Sequence, residues 1–473
     1  MKICRKLEAR YLHTGYTLIQ FFKPLFVDLS IRLSYDFVLK GGFSSVLESC
    51  SSTLKLVDTE LGFLYDEIYT KRPFLNTFAG VSLRCISFLC SFSALAAFSV
   101  IVTVDTAPKQ HSTLDIGISF MLLVGAVALE IYSIITHCLS DWGLVWATKT
   151  DNFLSCLICK ANACKLTWNR GNVQDTTMLN IPQYNFINYL LKTLHFPFVK
   201  KGWHSFLFYL AVKDNFWIDW WCTTWEKIDW EKSLQTHLDK QYIYIQSQSV
   251  EVRQHEAKDF NLWMLFEKRF RGEGDEDIKE VMMRSVGIGD CIFILHLATD
   301  ICYHVDSELC NFNNRDDYTT SKLLSDYMLY ILMSLTSMLV EKGNKEFPLF
   351  LSIRMNLNTI IHGSKYLDVK IDNVRTLSSL LLASGLEGYG DLMMFDIVKL
   401  ARWLQQEWGV EERWSLISEV WVETLTHVAM HCPGKEHLKC LGRGGDLVSK
   451  VSLVMMHYGL CPRIHLVPNV QTI

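Results

Sequence analysis

The spacing of apolar and polar positions sets two stretches apart from the rest of the chain. From Cys85 to Val104 runs CISFLCSFSALAAFSVIVTV, twenty residues without a charge between Arg84 and Asp105. At about 1.5 Å per residue such a helix covers about 30 Å, the hydrocarbon thickness of a bilayer. After a short polar loop, residues 116–139 (IGISFMLLVGAVALEIYSIITHCL) repeat the pattern, with Glu130 as the single formal charge. A soluble core helix seldom stays uncharged on every face for that length, so the pair predicts a transmembrane helical hairpin in a lipid bilayer. Lys71, Arg72 and Arg84 precede the first span and Lys149 follows the second, against Lys109 alone in the loop. The positive-inside bias therefore places both flanks, and both termini, on the cytoplasmic side; which membrane is not encoded.

Elsewhere the period is helical. Tyr16 to Leu29 is apolar but interrupted by Lys23, Pro24 and Asp28, which suits an interfacial amphipathic helix better than a span. Leu54, Val57, Leu61, Leu64 and Ile68 form a stripe leading towards the first span. Residues 170–185 read as a loop by turn composition, and 271–280 (RGEGDEDIKE) as a solvated linker. Trp217, Trp220, Trp221, Trp225 and Trp230 suit either a membrane interface or a thick helical core, with core favoured. The last 190 or so residues read as helices throughout: one capped by Thr319 or Thr320 and running to Glu341, one from Asp391 to Trp408, one opened by Glu411 and Glu412, and one from Asp446 to Tyr458. In the third, Trp414, Ile417, Trp421, Leu425 and Val428 share a face that ends at His431-Cys432-Pro433-Gly434. The expected fold class is mainly α, a transmembrane helical hairpin followed by an all-helical cytoplasmic domain. Its segments are 1–84 (cytoplasmic or interfacial), 85–139 (hairpin), 140–280 (helical middle region) and 281–473 (helical carboxy-terminal domain).

Composition narrows the function. With 49% hydrophobic and 20% charged residues among 473, the chain folds; 46 basic against 50 acidic residues remove the basic excess of a nucleic-acid binder, so no nucleic-acid partner is expected. Fifteen cysteines are too sparse for a disulfide scaffold and read as reduced thiols.

Several segments resemble a known family. TELGFLYDEIYTK, LLVGAVALEIYSII, ILHLATDICYHVD, SDYMLYILMSLTSMLV and WSLISEVWVETLTHVAMHCPGKEHLKCLGRGGDL are similar to plant membrane proteins that carry two domains of unknown function, numbered 4220 (amino-terminal, with membrane helices) and 594 (carboxy-terminal). The resemblance implies an integral membrane protein with further hydrophobic helices upstream in full-length relatives, so that this chain would be a shortened form. It implies no activity. Glu130, His296, Asp300, His431, Cys432 and His437 fall in the matching segments.

Five constellations carry candidate chemistry. Glu130 is an acid inside a span, which marks either helix packing or a transport site. HVAMHCPGKEHLKC gathers His427, His431, Cys432, His437 and Cys440, the donor types zinc uses, with His427 and His431 one turn apart. The HExxH signature and finger spacings are absent, and a helix ending in a turn explains the same residues. HLATDICYH steps His296, Asp300 and His304 along one face and contains HxxxD, similar to a motif of plant acyltransferases in which the histidine is the general base; the glycine after the aspartate and the later DFGWG are missing. A local hydrogen bond orienting the ring is the plainer account. Gly442, Gly444 and Gly445 precede a helix, where a tight turn with Asp446 as cap fits better than a phosphate cradle. Cys156, Cys159 and Cys164 offer membrane-proximal thiols for acylation. The expectation is a membrane-anchored interaction or scaffold protein with protein partners unknown. The alternatives are a metal-dependent or acyl-transfer enzyme using the His/Cys/Asp clusters, with zinc as the cofactor, and a transport component using Glu130.

Overall fold

The computed structural model describes residues 2–34, 50–104, 113–149, 156, 158, 160, 178–194, 224–229, 262–267, 276–285, 287–307, 315–339, 352–357, 359–361, 373–383, 392–441, 443, 445–457 and 461–467. Trp217, Trp220, Trp221, Trp230, Cys159, Cys164, Gly442, Gly444, Lys109 and Glu341 lie outside them, and the helix expected to reach Glu341 ends at Ser334. The protein is mainly α-helical and divides into two compact units, Met1–Lys23 with Lys55–Asp175 and Pro24–Leu54 with Thr176–Ile473. Both are discontinuous in sequence, where the hydrophobic pattern suggested four consecutive segments.

The first unit contains most of α1 (Lys2–Phe26), then α2 (Cys50–Tyr69), α3 (Arg72–Leu75), α4 (Phe78–Val104), α5 (Thr113–Cys138) and α6 (Asp141–Lys149). The stripe on α2 is a core stripe: Val57, Leu61 and Leu64 are buried, together with Ile19 and Phe22 of α1. Tyr16, Phe63 and Trp142 close on one another edge to face, with centroids 5.2–5.6 Å apart. Protein thus covers the apolar face of α1 that the sequence suggested for a membrane surface.

Helices α4 and α5 form the hairpin. Arg84 donates to Ser133 O at 2.9 Å, Ser87 Oγ donates to Glu130 Oε1 at 2.6 Å, and Phe98 meets Phe120 at 6.2 Å, an order that makes the two helices antiparallel. The most apolar eighteen-residue windows have mean hydropathy 2.3 and 2.2, and none of either window is buried by protein. Such a surface calls for an apolar surround.

Both turns at the mouth of the hairpin use one device. Thr77 Oγ1 accepts a hydrogen bond from Gly80 N–H at 3.2 Å, and Ser140 Oγ accepts one from Gly143 N–H at 3.2 Å, each hydroxyl capping the helix that follows. Glycine is required three residues on, because a Cβ on Gly80 would lie 2.2 Å from Phe74 O and one on Gly143 2.6 Å from His137 O.

In the second unit β1 (Ile31–Ser34) pairs in parallel with β4 (Ile464–Val467), Ile31 opposite Ile464. β2 (Met178–Gln183) pairs antiparallel with β3 (Thr224–Asp229). The helices are α7 (Phe186–Leu194), α8 (Leu262–Phe266), α9 (Glu276–Arg284), α10 (Ile288–Asp306), α11 (Arg315–Ser334), α12 (Val374–Ala383), α13 (Leu392–Glu407), α14 (Val410–His431), α15 (Gly434–Cys440) and α16 (Asp446–His457). Four strands among the described residues depart from the all-helical expectation: Trp225 sits in β3, the expected 170–185 loop contains β2, and Ile464–Val467 forms β4. Glu276 to Glu280, read as linker, opens α9.

A third helix, α10, is also long and apolar enough to cross a membrane, with mean hydropathy 1.3, but protein buries 78% of its window. α7, α11, α12, α13 and α14 surround it, which makes it the central core helix of this unit.

Candidate functional site

Helical spacing on two adjacent helices builds the most concentrated chemistry in the second unit. His296, Asp300 and His304 step by four along α10, and Lys322 and Asp326 step by four along α11, so facing sides present a row of ionisable groups. Lys322 Nζ lies 2.8 Å from Asp300 Oδ1 and 2.6 Å from Asp326 Oδ1. Asn185, just before α7, donates from Nδ2 to Asp300 Oδ1 at 2.9 Å and to Asp326 Oδ1 at 3.3 Å, while its Oδ1 caps α7 by accepting from Asn188 N–H at 2.8 Å. The network ties the strand–helix junction to the two central helices.

His296 is wholly buried, with Nδ1 2.9 Å from Ser325 Oγ and 3.3 Å from Ser325 O; Phe186 N–H points at Nε2 from 3.5 Å. That arrangement assigns the ring proton to Nδ1. Burial pushes the ring's pKa down, Lys322 adds to this, and Asp300 opposes it, leaving it at about 3, so the ring is neutral. Burial pushes the Asp300 carboxyl up, but Lys322, His304 and His296 outweigh it and hold it well below the usual carboxylate range. Burial pushes Asp326 up, Lys322 draws it down and Asp300 pushes it up again, leaving it at about 6. Lys322 loses by burial but gains more from its two carboxylates and stays charged. A charge buried this deeply is tolerated only when paired and hydrogen-bonded.

A second network lies at the carboxy-terminal end of α10. Arg413 Nη2 meets Asp306 Oδ2 at 2.8 Å and Oδ1 at 2.9 Å, and Trp414 Nε1 donates to Asp306 Oδ2 at 3.0 Å. Arg413 also donates to the carbonyls of Leu404, Gln405 and Trp408, closing the end of α13. Burial raises the Asp306 carboxyl, and Arg413 and Trp414 counter it.

The carboxy-terminal His/Cys set scatters. His427 and His431 stack with centroids 4.2 Å apart, and His431 Nδ1 lies 2.9 Å from the carbonyl of His427. His437 instead faces Ser449 Oγ, 3.1 Å from Nδ1, and Phe26, edge to face at 6.0 Å. Cys432 and Cys440 are buried, and burial raises both thiols, keeping them protonated and poor ligands. Among the described residues no group of three or more His, Cys, Asp or Glu is placed to hold a metal ion. Gly445 makes the tight turn the sequence suggested, since a Cβ there would lie 2.7 Å from Cys440 Cβ. Glu130, in the first unit, is held by Ser87 as described above. Cys156 is exposed.

Comparison with protein families places these elements. Residues 3–189 match the model described as Domain of unknown function (DUF4220), and residues 406–460 match Protein of unknown function, DUF594. The chain carries both domains. No curated protein and no solved structure matches it. The DUF594 segment supplies Arg413, Trp414, Trp421 and His437. The DUF4220 segment supplies Glu130 and the hairpin, and also Asp28 and Asn185, which belong to the second compact unit. Asp28 Oδ1 accepts from Gly434 N–H at 2.6 Å and also meets Arg463, so the second unit is built from residues of both family segments.

The sequence points to His296, Asp300 and His304, whereas Lys322, Asp326 and Asn185 emerge from the fold. The signals were present: KLLSD places a base and an acid one turn apart, and Asn185 precedes an apolar run, as a capping residue does.

Proposed function

We propose that the protein is a membrane-anchored interaction scaffold: α4 and α5 cross a lipid bilayer as a hairpin with both flanks cytoplasmic, and the second unit presents a rigid helical body for protein partners. The observation that carries this reading is the contrast between the two units. The hairpin windows are wholly uncovered by protein, whereas the ionisable groups of α10 and α11 are paired inside a packed core. A general base needs reach to a substrate proton, yet His296 has no exposed surface and its ring nitrogens face Ser325 and Phe186. The HxxxD residues are thereby better explained as packing elements than as an acyl-transfer site. Glu130 is likewise satisfied within the hairpin by Ser87, which supports helix packing over transport.

The test replaces the network as a unit. Asp300→Leu, Lys322→Met and Asp326→Leu together exchange buried charge for apolar volume, which a structural role tolerates and a catalytic role does not. The scaffold reading expects the triple variant to fold, to remain in the membrane and to restore the phenotype of a null line. A folded triple variant that fails to restore it would favour the enzyme reading.

A further inference from the structure

The stretch that leads into the hairpin presents a surface the scaffold reading does not use. Tyr65, Ile68 and Tyr69 on the last turns of α2, Phe74 on α3 and Phe78 at the start of α4 are all exposed, Phe78 to 90%. Tyr65 and Tyr69 lie against each other at 5.0 Å, and the three-ring contact of Tyr16, Phe63 and Trp142 fixes the helix that carries them. Trp142 Nε1 donates to Asp66 at 3.1 Å, and Arg72 pairs with the same carboxylate at 2.9 Å. Glu67 is taken by Lys23. Among the described residues Lys71 makes no ion pair and is exposed, whereas Arg84, the other cation here without a carboxylate, is turned onto Ser133 O and Oγ.

Helix length places the surface in depth. α4 has 27 residues, about 40 Å at the helical rise, whereas about 30 Å of hydrocarbon needs only the twenty uncharged residues from Cys85 onward. Phe78 to Arg84 therefore extend past the hydrocarbon by about 10 Å, the thickness of a headgroup layer. Tyrosine and other amphipathic rings favour that layer, and a lysine there meets lipid phosphate and carboxylate groups. Gly80 keeps the geometry tight by letting the α3 backbone press on the first turn of α4.

We infer that Tyr65, Ile68, Tyr69, Phe74, Phe78 and Lys71 form an aromatic–basic collar that seats in the headgroup layer of the membrane holding the hairpin and selects anionic lipid there. The inference rests on the hairpin reading and goes beyond it by naming the lipid class and the residue that selects it. A single basic residue at the surface of an anionic leaflet is worth about a fivefold preference, and salt screens it.

The full-length protein is reconstituted in vesicles of phosphatidylcholine with a minor fraction of phosphatidylserine, extracted in mild detergent, and its retained lipids are quantified by mass spectrometry. The expected result is phosphatidylserine enriched about fivefold over the vesicle ratio. Lys71→Gln returns it to the vesicle ratio, Lys71→Arg keeps the enrichment, and Phe74→Ser with Phe78→Ser lowers it. Wild type at the vesicle ratio, or Lys71→Gln with enrichment intact, overturns the inference. A disulfide between copies of a Phe74→Cys variant on mild oxidation overturns it in favour of a second copy of the chain. Alkaline extraction of the same vesicles separates the two readings: wild-type protein that leaves the bilayer removes the hairpin, and the collar with it.

Discussion

Asp28 accepts a hydrogen bond from the Gly434 amide at 2.6 Å across 406 residues of chain. Asp28 holds a left-handed backbone, φ 60°, and Arg463 braces it by donating to Leu25 O and Cys432 O. A Cβ on Gly434 would lie 2.2 Å from Leu25 O and 2.7 Å from Phe26 Cα, both backbone atoms with little freedom to move. Gly434→Ala is therefore expected to cost about 1–3 kcal/mol by overpacking, read as a lower thermal midpoint by circular dichroism. An unchanged midpoint would mean that the segment from Leu25 to Ser34 is not docked there.

Lys322 is the partner whose loss should be felt most. Lys322→Met leaves Asp300, with no exposed surface, without its counter-charge, and breaking a buried pair in this way costs about 3–5 kcal/mol. Chemical denaturation should show that loss for the single variant and recover most of it in the triple apolar variant. Equal loss in both would contradict the pairing.

Much of this architecture was legible in the sequence and part of it was not, for separable reasons. The hairpin was legible because each of its helices runs for twenty residues or more with at most one formal charge, the pattern that a bilayer-spanning helix needs. α14 was legible because Trp414, Ile417, Trp421, Leu425 and Val428 repeat at helical spacing, and all five are buried. α11 begins at Arg315, earlier than its threonines suggested, with Asp316 and Asp317 in its first turn, where acids favour a helix start. It stops at Ser334, where Leu335 leaves helical geometry and a short 3₁₀ turn follows. The β1–β4 pair was invisible because four-residue strands at opposite ends of the chain carry no local signal of parallel pairing. Lys322 and Asp326 look like an exposed i,i+4 pair; only the approach of α10 makes them a core. His427, His431 and His437 look like a ligand set, but α14 ends between them and turns His437 towards Ser449 and Phe26.

Acid should loosen the second unit. Burial, helped by Lys322 for His296, by His431 for His427 and by Arg463 for His437, takes each of these rings from 6.5 to about 3. Between those values the unfolded chain binds protons that the folded chain refuses, so stability falls as pH drops below 6.5. Asp326 and Asp396 oppose this: burial raises each from 3.8 to about 6, so the folded chain binds their protons first. Three histidines against two carboxylates leave a net loss of about 2 kcal/mol from pH 6.5 to 5. Thermal unfolding across that range should show the falling midpoint, and His437→Asn should flatten it; a midpoint that rises on acidification would contradict the assignment.

The mouth of the hairpin offers an independent check. Gly80→Val and Gly143→Val each drive a side chain into backbone carbonyls 2.2 and 2.6 Å from the Cβ position. Each should open the turn beside its span and expose it to limited proteolysis in intact membranes. Gly125, with nothing within 4 Å of its Cβ position, should accept valine without that effect.

The hairpin itself is tested most directly by which side of a sealed membrane its loop reaches. Ser112→Cys places a thiol in the loop between α4 and α5, while the exposed Cys156 follows the second span. With a membrane-impermeant maleimide, Cys156 is expected to label from the cytoplasmic face and the cysteine at 112 only from the opposite face. Labelling of both from one face would contradict a hairpin that crosses the bilayer.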